Sequence, residues 1–511
     1  MGSGSRRTFA LLGILFVFAS GRAAAADNTG EVPAAPDAGA AATATDTAAA
    51  APTEPGASAS QPEQGGGGGL FEQSQSSASG TSATPSPTPF ALTGYMRGDM
   101  YAGKVPGARQ ADLKAGYGEL SLGAKTAKSP YGDGFAEARL RYGLQGDVQQ
   151  TFVEVREAYV NTYLGPVDLR LGKQIIVWGR ADVLNPTNNL TPNDLRIRSP
   201  IEDDRRVGNV GARAFLRLAP VRLEGVWMPT YVPSELPPVL LPQFVSFGTP
   251  VFPSANLKNG IVAGRLHLEL PSFEASVSYL HGYAPLPGLT LTGLTFDPTT
   301  PSVLVSRTAY EHQVVGFDFS TALGDIAAIR GEAAYRRPYD YGKHIHAPHP
   351  DLQYALGADH NFGSVSVIVQ YLGRYVFDWQ KQVGPAMDLD PNVLKMTPAE
   401  GAPYLAAFTE NINSLLAKTN QILFAQTARV QHLATMRVEW MTAHDTLSIS
   451  AVGMVNITTK EWLASPKIGY RMSDNLTAYL GAEVLTGPKD TLFGLVDQTL
   501  SAGYAELRST F

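Results

Sequence analysis

Three histidines in the run His344-Ile345-His346-Ala347-Pro348-His349 are a first place to look for chemistry. A His-x-His pair can chelate a metal, but a built site needs further ligands, and Pro350 marks this segment as a solvated loop. No metal site is expected here. The chain has no cysteine, which removes thiolate metal sites, a cysteine nucleophile and a disulfide framework. A Gly-Lys-Ser/Thr phosphate loop, a Gly-x-Ser-x-Gly elbow and a His-Glu-x-x-His pair are all missing, so neither a catalytic residue nor a cofactor is assigned.

The segment from Leu169 to Arg198 is more promising. An apolar stretch ending in Trp178 leads into Gly179, Arg180 and Asp182, then into Asn185-Pro186, Thr191-Pro192 and Asn193-Asp194. The Asn-Pro, Thr-Pro and Asn-Asp steps fix turns, and so many polar groups do not rest idle against lipid. Trp178, Arg180, Asp182, Asn185, Asn193, Asp194 and Arg196 can line a pore constriction if the loop folds inward, or cap the mouth from outside. The cluster Glu202-Asp203-Asp204-Arg205-Arg206 closes the pore mouth or is simply solvated.

A loop of that kind needs a wall, and from Phe90 onward the sequence alternates with a period of two. Beyond the leader no run of 18 apolar residues occurs, so no transmembrane helix is expected. In 134–144, Ala136, Ala138, Leu140 and Tyr142 alternate with Phe135, Glu137, Arg139 and Arg141. Eighteen such runs can be drawn between 90–101 and 499–511, including 167–178 and 422–441, with 16 as the alternative count. Links after even-numbered strands are tight, as at Gly165-Pro166 and Gly363-Ser364. Most links after odd-numbered strands are long: 179–206, 231–258, 284–307, 337–351 and 377–421. A soluble sandwich has no reason to sort its loops by parity, whereas an all-β, antiparallel, up-and-down transmembrane barrel does.

In such a barrel the apolar face meets lipid and the charged face points inward. The expected lumen charges include Glu137, Arg139, Arg141, Glu154, Arg156, Arg213, Arg217, Arg265, Arg330, Glu332, Arg429, Arg437 and Glu439. Glu157 and Lys173 break the pattern by falling on apolar faces. Cross-strand pairing or a local bulge is expected there, because a charge facing mid-bilayer costs about 2–4 kcal/mol. Loop 377–421 carries a helical stripe, Tyr404, Leu405, Phe408, Ile412, Leu415 and Leu416, expected to cap the mouth.

Ahead of the barrel, residues 1–26 read as a cleaved signal peptide, with Arg6 and Arg7 before the apolar run Phe9–Ser20 and Ala24-Ala25-Ala26 at the cleavage site. Residues 27–89 are rich in Ala, Thr, Pro, Ser and Gly and read as a disordered periplasmic linker that can also recruit export partners. The net charge of −6 owes much to this linker, which holds Asp27, Glu31, Asp37, Asp46, Glu54, Glu63 and Glu72 and no Lys or Arg. The near-neutral body from 90 to 511 has no basic stripe for nucleic acid. Phe511 closes the last strand as the expected signal to the barrel-assembly machinery.

The stretch Leu171-Gly172-Lys173-Gln174, Trp178-Gly179-Arg180, Asp182 and Asn185-Pro186 resembles a motif of an uncharacterised porin-like family of proteobacterial outer-membrane proteins. The resemblance covers about 30 residues and implies an outer-membrane channel of a Gram-negative bacterium. It suggests hydrophobic or lipid-like compounds among the solutes and carries no established substrate. The expected function is a porin-like channel with a charged lumen, embedded in outer-membrane lipid. A polysaccharide or lipid exporter, an adhesion or structural barrel and an outer-membrane hydrolase are the rivals.

Overall fold

The computed structural model describes residues 90–104, 110–145, 148–236, 244–299, 301–324, 326–386 and 390–511. The signal peptide (1–26) and linker (27–89) read from the sequence lie outside the described residues.

The chain forms β1 (Phe90–Lys104), β2 (Ala111–Thr126), β3 (Gly132–Gln145), β4 (Val148–Leu164), β5 (Val167–Gln174), β6 (Asn209–Leu218) and β7 (Val221–Met228). Then come β8 (Val245–Phe247), β9 (Ile261–Leu270), β10 (Phe273–Tyr283), β11 (Gly288–Thr295), β12 (Ser302–Thr308), β13 (Glu311–Leu323) and β14 (Ala327–Pro338). The last are β15 (Asp351–Phe362), β16 (Val365–Val376), β17 (Val430–Thr442), β18 (Leu447–Asn456), β19 (Glu461–Ser473), β20 (Leu476–Thr486) and β21 (Ala502–Thr510). All but β8, β11 and β12 join one 18-stranded antiparallel sheet, and β1 pairs with both β2 and β21, closing it as a barrel. At the closing seam Phe511 exchanges backbone hydrogen bonds with Gly94.

Two-residue turns lie at one end, as at Gly165-Pro166, where Gly165 takes the left-handed φ of 63°. The long connections lie at the other. The wall inverts the usual burial: Val153, Val160, Leu164, Leu266, Val277 and Leu480 are exposed, while Arg97, Glu119, Arg139, Arg265, Asp318 and Glu332 are buried. That is the pattern of a sheet with an apolar exterior and a polar interior.

A bulge resolves the misfit at Glu157. Glu137 pairs with Glu157 but Ala138 pairs with Val155, leaving Arg156 as the extra residue. The extra residue reverses the alternation, so Glu157 turns inward and accepts the Ile175 N–H at 2.8 Å. Lys173 donates to the Val155 carbonyl at 2.6 Å, beside the bulge, and does not pair with Glu157.

Three expected boundaries change. β5 ends at Gln174 and not at 178, because Ile176 and Trp178 leave the wall and are buried elsewhere. β17 begins at Val430 and not at 422, because helix α1 (Pro398–Leu423) runs through Leu423 and a turn follows it. Thr397 and Glu400 form its capping box, each side chain serving the other's backbone N–H. The stretch 284–307 contains the hairpin β11–β12, to which β8 adds in parallel. A second helix, α2 (Leu492–Leu500), precedes β21. Phe408, Ile412 and Leu416 of α1 pack with Leu289, Val303 and Val305 of the small sheet and Val496 of α2 in one apolar cluster.

Candidate functional site: the inward loop

Residues 175–208, between β5 and β6, enter the barrel. Ile176, Trp178 and Leu190 pack on an apolar patch made by Val226, Met228, Ile261, Ala263, Leu280, Val314 and Ala334. These residues belong to β7, β9, β10, β13 and β14, so one sector of the inner wall is apolar and receives the loop. Burying an indole of about 150–250 Å² contributes on the order of 4–6 kcal/mol as an upper estimate.

Polar anchors fix the first leg around that patch. Trp178 Nε1 donates to Glu224 at 3.0 Å, and the same carboxylate takes Arg213 Nε at 2.8 Å and contacts His267 Nε2 at 3.0 Å. Arg180 bridges Asp318 (2.9 Å) and Glu274 (2.6 Å). The buried Glu332 carboxylate accepts the backbone N–H groups of Arg180 and Ala181 and, at 3.0 Å, the Thr187 hydroxyl. Gly179 makes this possible: its φ is 109°, and a Cβ there would meet the Glu332 carboxylate oxygens at 2.7 and 2.8 Å. Asp182 reaches Arg437 on β17 at 2.8 Å.

The second leg returns across the lumen. Asn193 N–H donates to Ser234 Oγ at 3.0 Å, and Asp194 holds Arg196 through both carboxylate oxygens (2.9 and 2.8 Å). Arg198 donates to the carbonyls of Thr499 (2.8 Å) and Leu500 (2.5 Å), and Tyr117 donates to the Arg198 carbonyl at 2.5 Å. Asp204 then meets Arg97 of β1 at 2.6 Å and Arg139 of β3 at 3.1 Å. Burial opposes the Asp204 charge, but Arg97, Arg139 and the Ser199 hydroxyl outweigh it and hold its carboxyl well below the usual carboxylate range.

Of the residues proposed to line a constriction, Trp178, Arg180 and Asp182 come together as wall anchors. Asn193, Asp194 and Arg196 instead tie the loop to Ser234 and Glu235 of the next long connection. Asn185 sits at the turn between the legs, accepting the Asn188 N–H through its carbonyl, with its side-chain Oδ1 buried and without a partner. Among the expected lumen charges, Glu137, Arg139, Arg141, Arg156, Arg213, Arg265, Arg330, Glu332 and Arg437 take part in inward ion pairs or hydrogen bonds. Glu154 and Glu439 keep the inward parity of their strands.

One expectation fails. Arg429 precedes β17, where it is exposed and donates to the Tyr375 hydroxyl at 2.7 Å, so it belongs to the rim. Arg217 keeps the inward parity of Arg213 on β6 and pairs with Asp168 at the short-turn end, where it is exposed. The densest charge cluster was missed: Arg97 lies 2.8 Å from Glu119 and 3.4 Å from Asp99, all three buried. Its signal was present in the alternation of Tyr95, Arg97, Asp99 and Tyr101 along β1. Among the described residues no group of three His, Cys, Asp or Glu can hold a metal ion. Burial lowers the imidazole pKa of both His346 and His349.

A family model described as "Protein of unknown function (DUF1302)" matches residues 121–472. No curated protein matches the chain. Among solved structures the chain is similar to Pseudomonas aeruginosa OccK9 (OpdG), at 10% identity and a TM-score of 0.48, covering 83% of this chain and 97% of that one. Pseudomonas aeruginosa OccK2 (OpdF), solved in complex with glucuronate, gives 9% identity and a TM-score of 0.47 over 83% and 96% of the two chains. Acinetobacter baumannii OccAB3 gives 10% and 0.46 over 83% and 99%. Likeness at that level carries no information about substrate.

Proposed function

The chain belongs to the DUF1302 family of proteins of unknown function, and from its own wall and loops we propose a porin-like outer-membrane channel that passes small solutes. The observation that carries this reading is the inward loop 175–208 inside a closed 18-stranded barrel with an apolar exterior. Eighteen strands enclose more space than wall side chains alone fill. The loop narrows that space without joining the wall: its legs meet β7, β10, β13, β14 and β17 on one side and β1 and β3 on the other. On β18 and β19, which those contacts leave out, the inward positions include the small residues Ser448, Ser450 and Ser465 around Lys467. Trp178, Arg180, Asp182, Asn185, Asn193, Asp194 and Arg196 set the constriction mainly by fixing the loop's path. Outer-membrane lipid surrounds the barrel, assembled with Phe511 as signal and exported with removal of residues 1–26.

Proteoliposomes of the purified chain test this. They should swell in isotonic sugars at rates that fall as the sugar grows. Vesicles that stay sealed to every solute would refute the proposal.

A further inference from the structure

At the long-loop end a cavity of about 190 Å³ lies between the turn of the inward loop at Asn189, the C-terminal end of α1 and the ends of β14, β15 and β16. That is room for about six waters at ~30 Å³ each. Its floor carries two guanidinium groups and one carboxylate. Arg336 grips Asp351 through Nε and Nη2 at 2.8 and 2.6 Å, and Arg374 Nε approaches the same carboxylate at 3.5 Å. Arg374 Nη1 donates to the carbonyls of Phe424 and Ala425 at 2.5 Å each.

Arginine carries five N–H donors and is always charged. Arg336 Nη1 and Arg374 Nη2 have no protein acceptor among the described residues, so the floor keeps one unit of positive charge and free donors. His312 adds a further signal. It is 4% exposed, it lines the cavity, and its Nε2 has no hydrogen-bond partner. Beside the polar Asn189, His349 and Gln426, the lining has an apolar side: the Tyr310 ring meets Phe424 edge-on at 5.7 Å and His312 at 6.1 Å, next to Leu286.

We propose that this cavity is a capture site for a compact monocarboxylate with a flat apolar body. The carboxylate would take the free ends of Arg336 and Arg374, with the His312 Nε2–H as a third donor, and its body would lie among Tyr310, Phe424 and Leu286. Asp351 sets the charge match: two arginines against one carboxylate suit one negative charge, and a cation would meet both guanidiniums. A metal ion finds a single carboxylate, already held by Arg336. The inference rests on the channel reading for its biological meaning and not for the binding itself.

Titration calorimetry of the full chain in detergent, with sodium benzoate as probe and benzamide as its neutral counterpart, tests it. Benzoate should bind saturably and benzamide at least about tenfold more weakly, the difference that charge-assisted hydrogen bonds supply. Leu286→Trp, which fills the cavity, should abolish benzoate binding, and Arg374→Gln should weaken it by about tenfold or more. No benzoate binding, equal binding of benzamide, or undiminished binding in a folded Leu286→Trp barrel would overturn the proposal. The comparison of the two probes on the unmodified chain needs no variant to fold. A protein that conducts ions but does not bind benzoate removes this site and leaves the channel, while one that binds but never conducts does the reverse.

Discussion

Asp204→Asn isolates how the inward loop is held. Asp204 is the loop's only charged link to both Arg97 and Arg139 among the described residues, and the side chains of all three are at most 5% exposed. Asparagine keeps the size and the bond to Ser199 but leaves Arg97 and Arg139 without that counter-charge. Removing one partner of a buried ion pair costs about 3–5 kcal/mol, because the remaining charge stays desolvated. The barrel itself should survive, since Arg97 keeps Glu119 and Asp99, and its ladder does not involve residue 204. The cost should fall on the seated state of the second leg. At 1.4 kcal/mol per decade, exchange of backbone hydrogens in 194–206 should quicken by roughly two to three and a half orders of magnitude. Hydrogen exchange read by mass spectrometry gives this directly, with 176–190 as an internal control anchored on the opposite wall. Exchange in 194–206 within threefold of the unmodified chain would refute the latch. Acid should not mimic the mutation above pH 5. The folded pKa of Asp204 lies below its unfolded value of about 3.9, so its stabilisation is complete above that value and is lost only as pH falls toward the folded pKa.

Other consequences follow from the same anchors. Gly179→Ala should unseat the first leg, since alanine at that positive φ costs about 1–3 kcal/mol before the contact with Glu332 is counted; faster exchange confined to 176–190 is the readout. Trp178→Phe removes one donor from the buried Glu224 and should cost about 1.5–3 kcal/mol, seen as roughly tenfold to a hundredfold faster exchange in the same segment. The Thr397 N–H and hydroxyl lower the Glu400 pKa, so the α1 cap should be complete above pH ~4.3 and fail as pH falls through the folded value; exchange at 399–402 should rise below pH 4 and stay flat from pH 5 to 8.

The wall was legible because each strand writes its own alternation and each short turn its own Gly, Pro or Asn, so strand number and loop parity follow from local sequence. The bulge was legible in the same way, since Glu157 on an apolar face had to be paired or re-aimed. The stripe from Tyr404 to Leu416 gave away α1, although its start at Thr397-Pro398-Ala399-Glu400 is also a local signal and was passed over. The hairpin β11–β12 was hidden because 284–307 reads as one long connection between wall strands, and its pairing of Leu291–Thr295 with Ser302–Val305 forms a sheet separate from the wall. The run Ile175–Trp178 misled for the opposite reason: it is apolar enough to continue β5, yet it faces an inner patch drawn from five strands far apart in sequence. Arg97 and Asp99 lay in plain alternation, but Asp204, the partner of Arg97, comes from a distant loop, and no local pattern announces it.

Whether the inward loop constricts an open channel is read from single-channel conductance in planar bilayers, comparing the full chain with a variant lacking residues 183–204. The full chain should give small discrete steps, and the deletion should give larger ones because the narrowing segment is gone while the barrel wall is intact. Silence from both proteins, or equal conductance, would contradict a channel constricted by this loop.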